Sequence, residues 1–229
     1  MKIEESIWIA NNILKLANPG QKLLNIGSST AKFRNQIQPH ITNNIFKPLE
    51  KNGIAVTHTD IQNSDGVDLV GDLLDEEFVK ALEREQFDFI LCSNLLEHLE
   101  EIEPICRIIE RILKKNGYAI ITVPYNYPYH LDPIDNMFRP TVKELAEYFS
   151  TLKHLNGEIL EAKSYNSKVN TTENNYFQKL KNNPKMLLLI LIRSLLPFYK
   201  FSVWKKTIFG VIRLFRPFSV TCLVLKNKV

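Results

Sequence analysis

Glu97 and His98 stand where two ionisable side chains could act on a bound molecule. They follow the apolar run 87–91, which is typical of a strand buried on both faces, and the small polar turn Cys92-Ser93-Asn94. Ligands of an open parallel sheet bind beyond the carboxyl ends of its strands. Because a carboxylate and an imidazole are suited to general acid–base chemistry, this stretch is a candidate edge of an active site.

A second set of reactive side chains lies in residues 124–140, a loop long enough that we expect it to have a function. It contains tyrosines that can stack on a sugar or ring, together with His130, Arg139 and the aspartates Asp132 and Asp135. Arg139 can bind a phosphate or carboxylate of a substrate, or it can tie the loop to one of the aspartates. The spacing of these residues does not require a metal ion, and no metal site is predicted.

Strands that alternate with helices over most of the chain predict an α/β fold. Strands are expected at residues 21–26, 54–59, 67–70, 87–91, 118–123, 159–163 and 220–226, and helices at 4–17, from 31, at 75–84, 102–115 and from 141. Such alternation indicates a three-layer sandwich with a mostly parallel seven-stranded sheet. We assign residues 1–175 to the core, residues 176–217 to a helical insert and residues 218–229 to the last strand.

The first two strands end on residues suited to a nucleotide. Gly27 allows close approach of a ligand to the backbone, and the carboxylate of Asp60 can accept both hydroxyls of a ribose. Ser29 and Ala31 occupy positions where a dinucleotide-binding turn usually has further glycines for a pyrophosphate. A ligand without a pyrophosphate needs fewer glycines. Alternatively, Gly27 serves only a tight turn and Asp60 only caps a loop.

Five segments, in this order, resemble the motifs of class I S-adenosylmethionine-dependent methyltransferases. LLNIGSSTAKF is similar to the first motif, Asp60 to the ribose-binding acid, Gly71-Asp72-Leu73 to the adenine-binding turn, SNLLEHLEE to the turn after the fourth strand, and ILKKNGYAIITVP to the segment leading to the fifth strand. The resemblance covers residues 21–149 and extends to residues 220–226. YPYHLDPIDNMFRPT also resembles a segment of methyltransferases from surface-glycan gene clusters.

This resemblance implies that the cofactor is S-adenosylmethionine. The resemblance implies that Gly27 and Ser28 line the amino-acid end of the cofactor and that Asp60 binds its ribose. Ile61, Asp72 and Leu73 are implied to contact the adenine, and Asn94 to form the wall beside the methyl donor. Position 25 is an asparagine where the family commonly has an acid. One ligand for the ammonium group of the cofactor is therefore missing.

Methyl transfer to a hydroxyl requires alignment of donor and acceptor and removal of a proton. His98 and His130 are the candidate bases, because imidazole titrates near neutral pH, although either can instead be a hydrogen-bonded structural residue. The candidate substrate-binding residues are Tyr127, Tyr129, Asp132 and Arg139.

Charge is unevenly distributed along the 229 residues. Eleven of the 29 Lys and Arg residues follow Glu173 and none of the 25 Asp and Glu residues does, so residues 174–229 carry +11 and the rest carry −7. Residues 203–216 place Trp204 and Phe215 on one helical face and mostly cations on another, which is typical of an interfacial membrane helix. The uncharged run 186–192 is shorter than the roughly 20 residues of a membrane span.

Residues 186–216 are therefore predicted to contact an anionic membrane surface, with a lid over the acceptor or a dimer interface as alternatives. Nucleic acid is disfavoured as a partner, because the cations alternate with bulky aliphatic side chains. Three cysteines without metal-type spacing suit a reducing compartment, and the first residues are too polar for a signal peptide. These features predict a cytoplasmic protein, peripheral at the inner face of the membrane.

The predicted function is S-adenosylmethionine-dependent O-methylation of a glycan or lipid-linked acceptor. One alternative is a nicotinamide-dependent reductase or epimerase, which shares Gly27 and Asp60 but does not explain Asp72. The other is a noncatalytic, membrane-associated binding module with the same fold. The sequence does not determine the acceptor or the oligomeric state.

Overall fold

Seven strands form one sheet in the computed structural model, which describes residues 1–130, 134–162 and 218–228. The strands are β1 (Lys22–Ile26), β2 (Ala55–Asp60), β3 (Leu69–Val70), β4 (Phe87–Ser93), β5 (Leu113–Asn126), β6 (Leu152–Glu161) and β7 (Ser219–Asn227). Their order in the sheet is β3-β2-β1-β4-β5-β7-β6. The pairs from β3 to β5 are parallel, whereas β7 is antiparallel to both β5 and β6. The predicted α/β class with a mostly parallel seven-stranded sheet is confirmed.

Helices cover both faces of this sheet. They are α1 (Ile3–Leu16), α2 (Lys47–Lys51), α3 (Glu76–Glu85), α4 (Ile102–Ile112) and α5 (Val142–Glu147). The start of α5 follows the sequence signal, because Thr141 accepts a hydrogen bond from the Glu144 amide and the Glu144 carboxylate accepts one from the Thr141 amide. Asp75 caps α3 in a similar way, by accepting from the amide of Glu77.

Side chains of the central strands alternate between two apolar clusters, one on each face of the sheet. From β4, Ile90 and Cys92 join the cluster that includes residues of α3, α4 and α5, whereas Phe89 and Leu91 join the cluster that includes residues of α1. All four side chains are fully buried. This alternation, which follows from the period of two in a strand, produces the predicted three layers.

The segment after Ala31 is helical, but it is not one regular helix. It contains wide helical turns at Phe33–Ile37 and Thr42–Phe46 before α2. Pro39 lies between the two turns and cannot donate a backbone hydrogen bond, so a continuous helix is interrupted there.

The boundaries at the end of α4 also differ from the prediction. The helix ends at Ile112 rather than near residue 115, because Leu113 already pairs with Phe87 at the start of β4. Residues 116–117, which lie between the predicted helix and the predicted strand, form an irregularity within β5, where Asn116 has a φ of +62°. The strand expected at 159–163 is β6, which begins earlier, at Leu152, and ends two residues earlier, at Glu161.

Residues 131–133 and 163–217 lie outside the described residues. The predicted insert (176–217), its membrane-contacting part (186–216) and the substrate-binding role of Asp132 therefore remain predictions. Within the three described ranges, no helix combines the length and hydropathy needed to cross a bilayer.

Candidate active site

A cavity of about 770 Å³ lies at the carboxyl ends of β1, β2 and β4. This is the edge at which open α/β sheets bind ligands, and the volume is within the range of roughly 300–1,000 Å³ typical of small-molecule sites. The predicted site residues that line it are Gly27, Ser28, Asp60, Ile61, Asp72, Leu73, Asn94, His98, Tyr127 and His130. Tyr129 and Arg139 do not line it, and Tyr129 is 58% exposed.

The turn after β1 has a backbone that requires glycine. Gly27 has a φ of +65°, and a Cβ there would lie 2.8 Å from Cδ1 of Leu95. The buried side chain of Arg34 fixes this turn, because its guanidinium donates to the carbonyls of Ser28 at 2.8 Å and Ser29 at 2.6 Å. Arg34 is not among the residues predicted from sequence, since a single arginine in a helical segment carries no signal for such a contact.

Two aspartates at the predicted ribose and adenine positions are held by backbone amides. Asp60 accepts from Ser29 N at 2.8 Å and from Gln62 N at 3.1 Å. Asp72 accepts from Leu74 N at 2.9 Å. Each carboxylate oxygen has more than one lone pair, so both groups can still accept from a ligand. Ile61 is 64% exposed beside Asp60, which leaves an apolar surface at the cavity.

Asn94 connects the end of β4 to a buried carboxylate from α1. Its φ is +49°, and its side-chain amide donates to Oε1 of Glu5 at 2.7 Å. The hydroxyl of Thr122 in β5 donates to the same oxygen, also at 2.7 Å. Glu5 lines the cavity and is only 1% exposed. It is absent from the predicted site, although it lies four residues before Ile9 on the apolar face of α1, where an acid is unusual.

Glu97 is a second buried carboxyl group in the cavity lining. Its side chain is 1% exposed, and its Oε2 has no hydrogen-bond partner among the described residues. Burial raises its pKa from 4.5 to about 7, and the negative charge of Glu5 adds to this effect. A carboxyl group that titrates near neutral pH inside a cavity is suited to proton transfer.

His98 connects this cavity wall to the loop that follows β5. Its Nδ1 lies 2.5 Å from the carbonyl oxygen of Ile134, which can only accept, so Nδ1 carries the proton. Its Nε2 lies 3.7 Å from Oε1 of Glu97, and its ring meets that of His130 edge-on, with centroids 5.2 Å apart. The two predicted bases are therefore neighbours.

His130 is held by Asp135, a buried residue of the same loop. Oδ2 of Asp135 accepts from the backbone N of His130 at 3.0 Å and lies 3.0 Å from Nδ1, which is also 3.4 Å from the carbonyl oxygen of Pro128. Both oxygens can only accept, so Nδ1 carries a proton and Nε2 is the nitrogen that can accept one. Burial alone would raise the pKa of Asp135. Hydrogen bonds from the amides of His130 and Met137 and from the Arg139 guanidinium outweigh burial and hold it at about 2.

Arg139 ties the loop to an aspartate, which is one of the two roles predicted for it. Its guanidinium donates to Oδ2 of Asp135 at 2.7 Å and to the carbonyl of Phe138 at 3.0 Å. Asp135 is one of the two aspartates predicted for this tie, but its contact with His130 is not encoded by any local pattern. The loop therefore contains a chain of polar contacts from Arg139 through Asp135 to His130.

Asn25 lies near the end of β1, at a position where the methyltransferases that the sequence resembles commonly have an acid. Its amide nitrogen lies 3.0 Å from Nδ1 of His58 in β2. Burial, together with the charge of Arg34, lowers the pKa of His58 to about 4, so the imidazole is neutral at pH 7. Asn25, which lines the cavity, is thus paired with a neutral imidazole at the place where the family commonly has a carboxylate.

Comparisons with known proteins agree with this geometry. Residues 41–121 match a family model described as a methyltransferase domain. No curated protein sequence matches the chain. The matched segment includes the predicted ribose and adenine positions at Asp60 and Asp72, together with Asn94 and Glu97.

Solved structures share the fold at low sequence identity. A protein from Galdieria sulphuraria assigned as a sarcosine dimethylglycine methyltransferase has 13% identity and a TM-score of 0.58, with 98% of this chain and 85% of that chain covered. Coclaurine N-methyltransferase, solved with N-methylheliamine and SAH, has 16% identity and a TM-score of 0.54, with coverages of 97% and 71%.

The [4+2]-cyclase SpnF has the same fold, with 12% identity, a TM-score of 0.56 and coverages of 99% and 82%. At these identities the likeness establishes the fold, and the cyclase shows that this fold is not restricted to one reaction. Together, the matched domain and the fold support a methyltransferase.

Proposed function

We propose that this protein transfers a methyl group from S-adenosylmethionine to a hydroxyl of a glycan or lipid-linked acceptor. The observation that carries the proposal is the pair His130 and Asp135 at the cavity, with Oδ2 of Asp135 3.0 Å from Nδ1 of His130. A hydroxyl must lose a proton during methyl transfer, and an oriented imidazole is suited to accept it.

The residues of the cavity fit the cofactor. The glycine turn at Gly27 allows a ligand close to the backbone, the carboxylate of Asp60 can accept from ribose hydroxyls, and Ile61 offers an apolar surface for adenine. Asp72 can accept from the adenine amino group. When bound, S-adenosylmethionine supplies an electrophilic methyl group on a sulfonium.

His130 has the role of general base in this proposal. Because Asp135 holds Nδ1 in its protonated form, Nε2 is free to take the hydroxyl proton as the acceptor oxygen attacks. Asp135 stays ionised through neutral pH, since its pKa is about 2, and it stabilises the imidazolium that forms. Arg139 positions Asp135, and Tyr127 lies 5.1 Å from the His130 ring, centroid to centroid.

The acceptor class rests on the sequence. The loop 124–140 resembles a segment of methyltransferases from surface-glycan gene clusters, and residues 186–216 combine cations with aromatic side chains, as interfacial helices do. Such a helix would hold the enzyme at the cytoplasmic face of a membrane, where lipid-linked glycans are accessible. The cavity-lining tyrosine Tyr127 is suited to stack on a sugar ring.

Two measurements test the proposal. Calorimetry with S-adenosylhomocysteine and with NADH should give binding of the first and none of the second. Incubation with S-adenosylmethionine and extracted glycolipids should then give a product heavier by one methyl group. Binding of NADH alone would support the reductase alternative, and absence of both would support a binding module.

Substitution of the base tests the mechanism. His130→Ala should lower kcat about 10²–10⁴-fold, the usual contribution of general acid–base catalysis, and leave the affinity for S-adenosylhomocysteine unchanged. Asp135→Asn should lower kcat and move the acidic limb of its pH profile to lower pH, because the imidazolium loses its counter-charge. His154→Ala, which changes an exposed histidine in β6, is the matched control and should have no effect. Full turnover of His130→Ala would exclude His130 as the base.

A further inference from the structure

A buried carboxylate whose hydrogen-bond donors are all uncharged lies in the cavity lining. Glu5 is 1% exposed, and its partners are the Lys2 amide at 2.9 Å, the Asn94 side-chain amide at 2.7 Å and the Thr122 hydroxyl at 2.7 Å. All three donors are uncharged, and none of the ion pairs within 4.0 Å in the described part of the chain includes Glu5. Buried charges in proteins are normally paired, so a cationic group of a ligand in the cavity would be a favourable partner for Glu5.

The hydrogen bonds of Glu5 hold its carboxylate in a fixed position in the cavity lining. The Lys2 amide donates to Oε2, whereas the Asn94 amide and the Thr122 hydroxyl donate to Oε1, so the contacts occupy both oxygens but bring no positive charge to offset the desolvation of the carboxylate. The amino group of Met1 interacts electrostatically with Glu5, but burial lowers its pKa and so disfavours its charged form. A cation from a ligand in the cavity would compensate Glu5.

The position of Glu5 is close to the end of β1. Asn94, which binds Glu5, precedes Leu95, and the Leu95 side chain lies against Gly27. The other carboxylates of the cavity are less suited to a cation at this place. Asp60 is the last residue of β2 and Asp72 follows β3, and Glu97, with a pKa of about 7, carries a full negative charge only above neutral pH.

We propose that Glu5, delivered by α1, binds the ammonium group at the amino-acid end of S-adenosylmethionine and replaces the acid that is absent at Asn25. The inference rests on the proposed function, since it concerns the same cofactor. A charge-assisted hydrogen bond from the ammonium to Glu5 would form in the same cavity as the ribose contact of Asp60.

Calorimetry with three ligands tests this assignment on the full chain. S-adenosylhomocysteine carries the ammonium, its desamino analogue lacks only that group, and 5′-methylthioadenosine lacks the whole amino-acid end. Glu5→Gln should weaken binding of S-adenosylhomocysteine about 10–100-fold, as expected for one charge-assisted contact. It should leave the other two affinities within about twofold.

The ratio of affinities separates this role from a structural one. A variant that is merely less stable would lose affinity for all three ligands by the same factor, and that result would overturn the inference. Glu4→Gln changes the neighbouring acid, which does not line the cavity, and should alter none of the affinities. If Glu5→Gln does not fold, Glu5→Asp retains the charge and should show a smaller but equally selective loss.

Failure of this inference can be told apart from failure of the proposed function. Wild-type protein that binds none of the three adenosine ligands would refute the proposed function and the role of Glu5 together. Wild-type protein that binds S-adenosylhomocysteine with an affinity unchanged by Glu5→Gln would refute only the role of Glu5.

Discussion

Glu97→Gln should make the protein more stable at high pH relative to the wild type. The carboxyl group is 1% exposed, its Oε2 lacks a hydrogen-bond partner among the described residues, and its pKa is raised from 4.5 to about 7, mainly by burial. The folded state therefore favours the neutral acid. Glutamine has nearly the same shape and stays neutral at every pH, so it removes only the cost of the charge.

The sign and the size of the effect follow from the two pKa values. Below pH 4.5 Glu97 is neutral in both the folded and the unfolded chain, and its full stabilising contribution is present. As the pH rises toward 7, the unfolded chain loses this proton while the folded protein keeps it, so the free energy of unfolding falls. Above pH 7 the loss is complete and amounts to about 3 kcal/mol, at 1.36 kcal/mol per pKa unit.

Urea denaturation of the wild type and Glu97→Gln at several pH values between 5 and 8 measures this cost. The quantity of interest is the difference between the two proteins at each pH, because other titrating groups cancel in it. We expect this difference to shift by about 2–3 kcal/mol in favour of the variant between pH 5 and pH 8. Glu100→Gln, which changes an exposed acid nearby, should give a difference within about 0.5 kcal/mol at every pH.

A difference that stays constant with pH would refute this reasoning, because it would mean that the Glu97 carboxylate is hydrated or paired in the folded protein. Carboxyl ¹³C chemical shifts of the wild type provide an independent check and should report a pKa of about 7. His98 must be followed in the same titration. Its Nε2 lies 3.7 Å from Oε1 of Glu97, and a protonated ring there would favour the carboxylate.

Two further predictions concern the glycine turn and the insert. Gly27→Ala should lower the free energy of unfolding by about 2 kcal/mol and weaken binding of S-adenosylhomocysteine, because the new Cβ would lie 2.8 Å from Leu95 Cδ1. Thermal denaturation measures the loss of stability. Gly20 also has a positive φ but nothing within 4 Å of an added Cβ, so Gly20→Ala should cost less stability. The wild type should sediment with anionic liposomes and a variant lacking residues 176–217 should not; equal sedimentation would contradict membrane contact through the insert.

The parts of the site that follow from strand positions could be predicted from sequence. Gly27, Asp60 and Asn94 each come directly after or at the end of an apolar strand, and the carboxyl ends of parallel strands meet at one edge. All three line the cavity for this reason. The alternation of strands and helices likewise led to the correct layers, because the central strands are buried on both faces.

Residues that act through distant contacts could not be predicted in the same way. Glu5 meets Asn94 and Thr122 only after α1 has packed on the sheet, and no local pattern encodes that contact. Asp135 lies in a loop without periodicity, so the spacing of residues in the sequence does not indicate that its carboxylate contacts His130. The early start of β5 has a similar cause, since the pairing of Leu113 with Phe87 overrides the local preference for helix.

The place of β7 in the sheet sets an order of events for the newly made chain. Residue 226 pairs with residue 118, and β7 also supplies the partner for β6, so both strands await a segment synthesised much later. Until then β5 presents an unpaired edge, a state that is open to association with other chains. The strands that carry the nucleotide-side residues, β1, β2 and β4, pair without β7, and the ligand-binding half of the sheet can therefore assemble before the other half is complete.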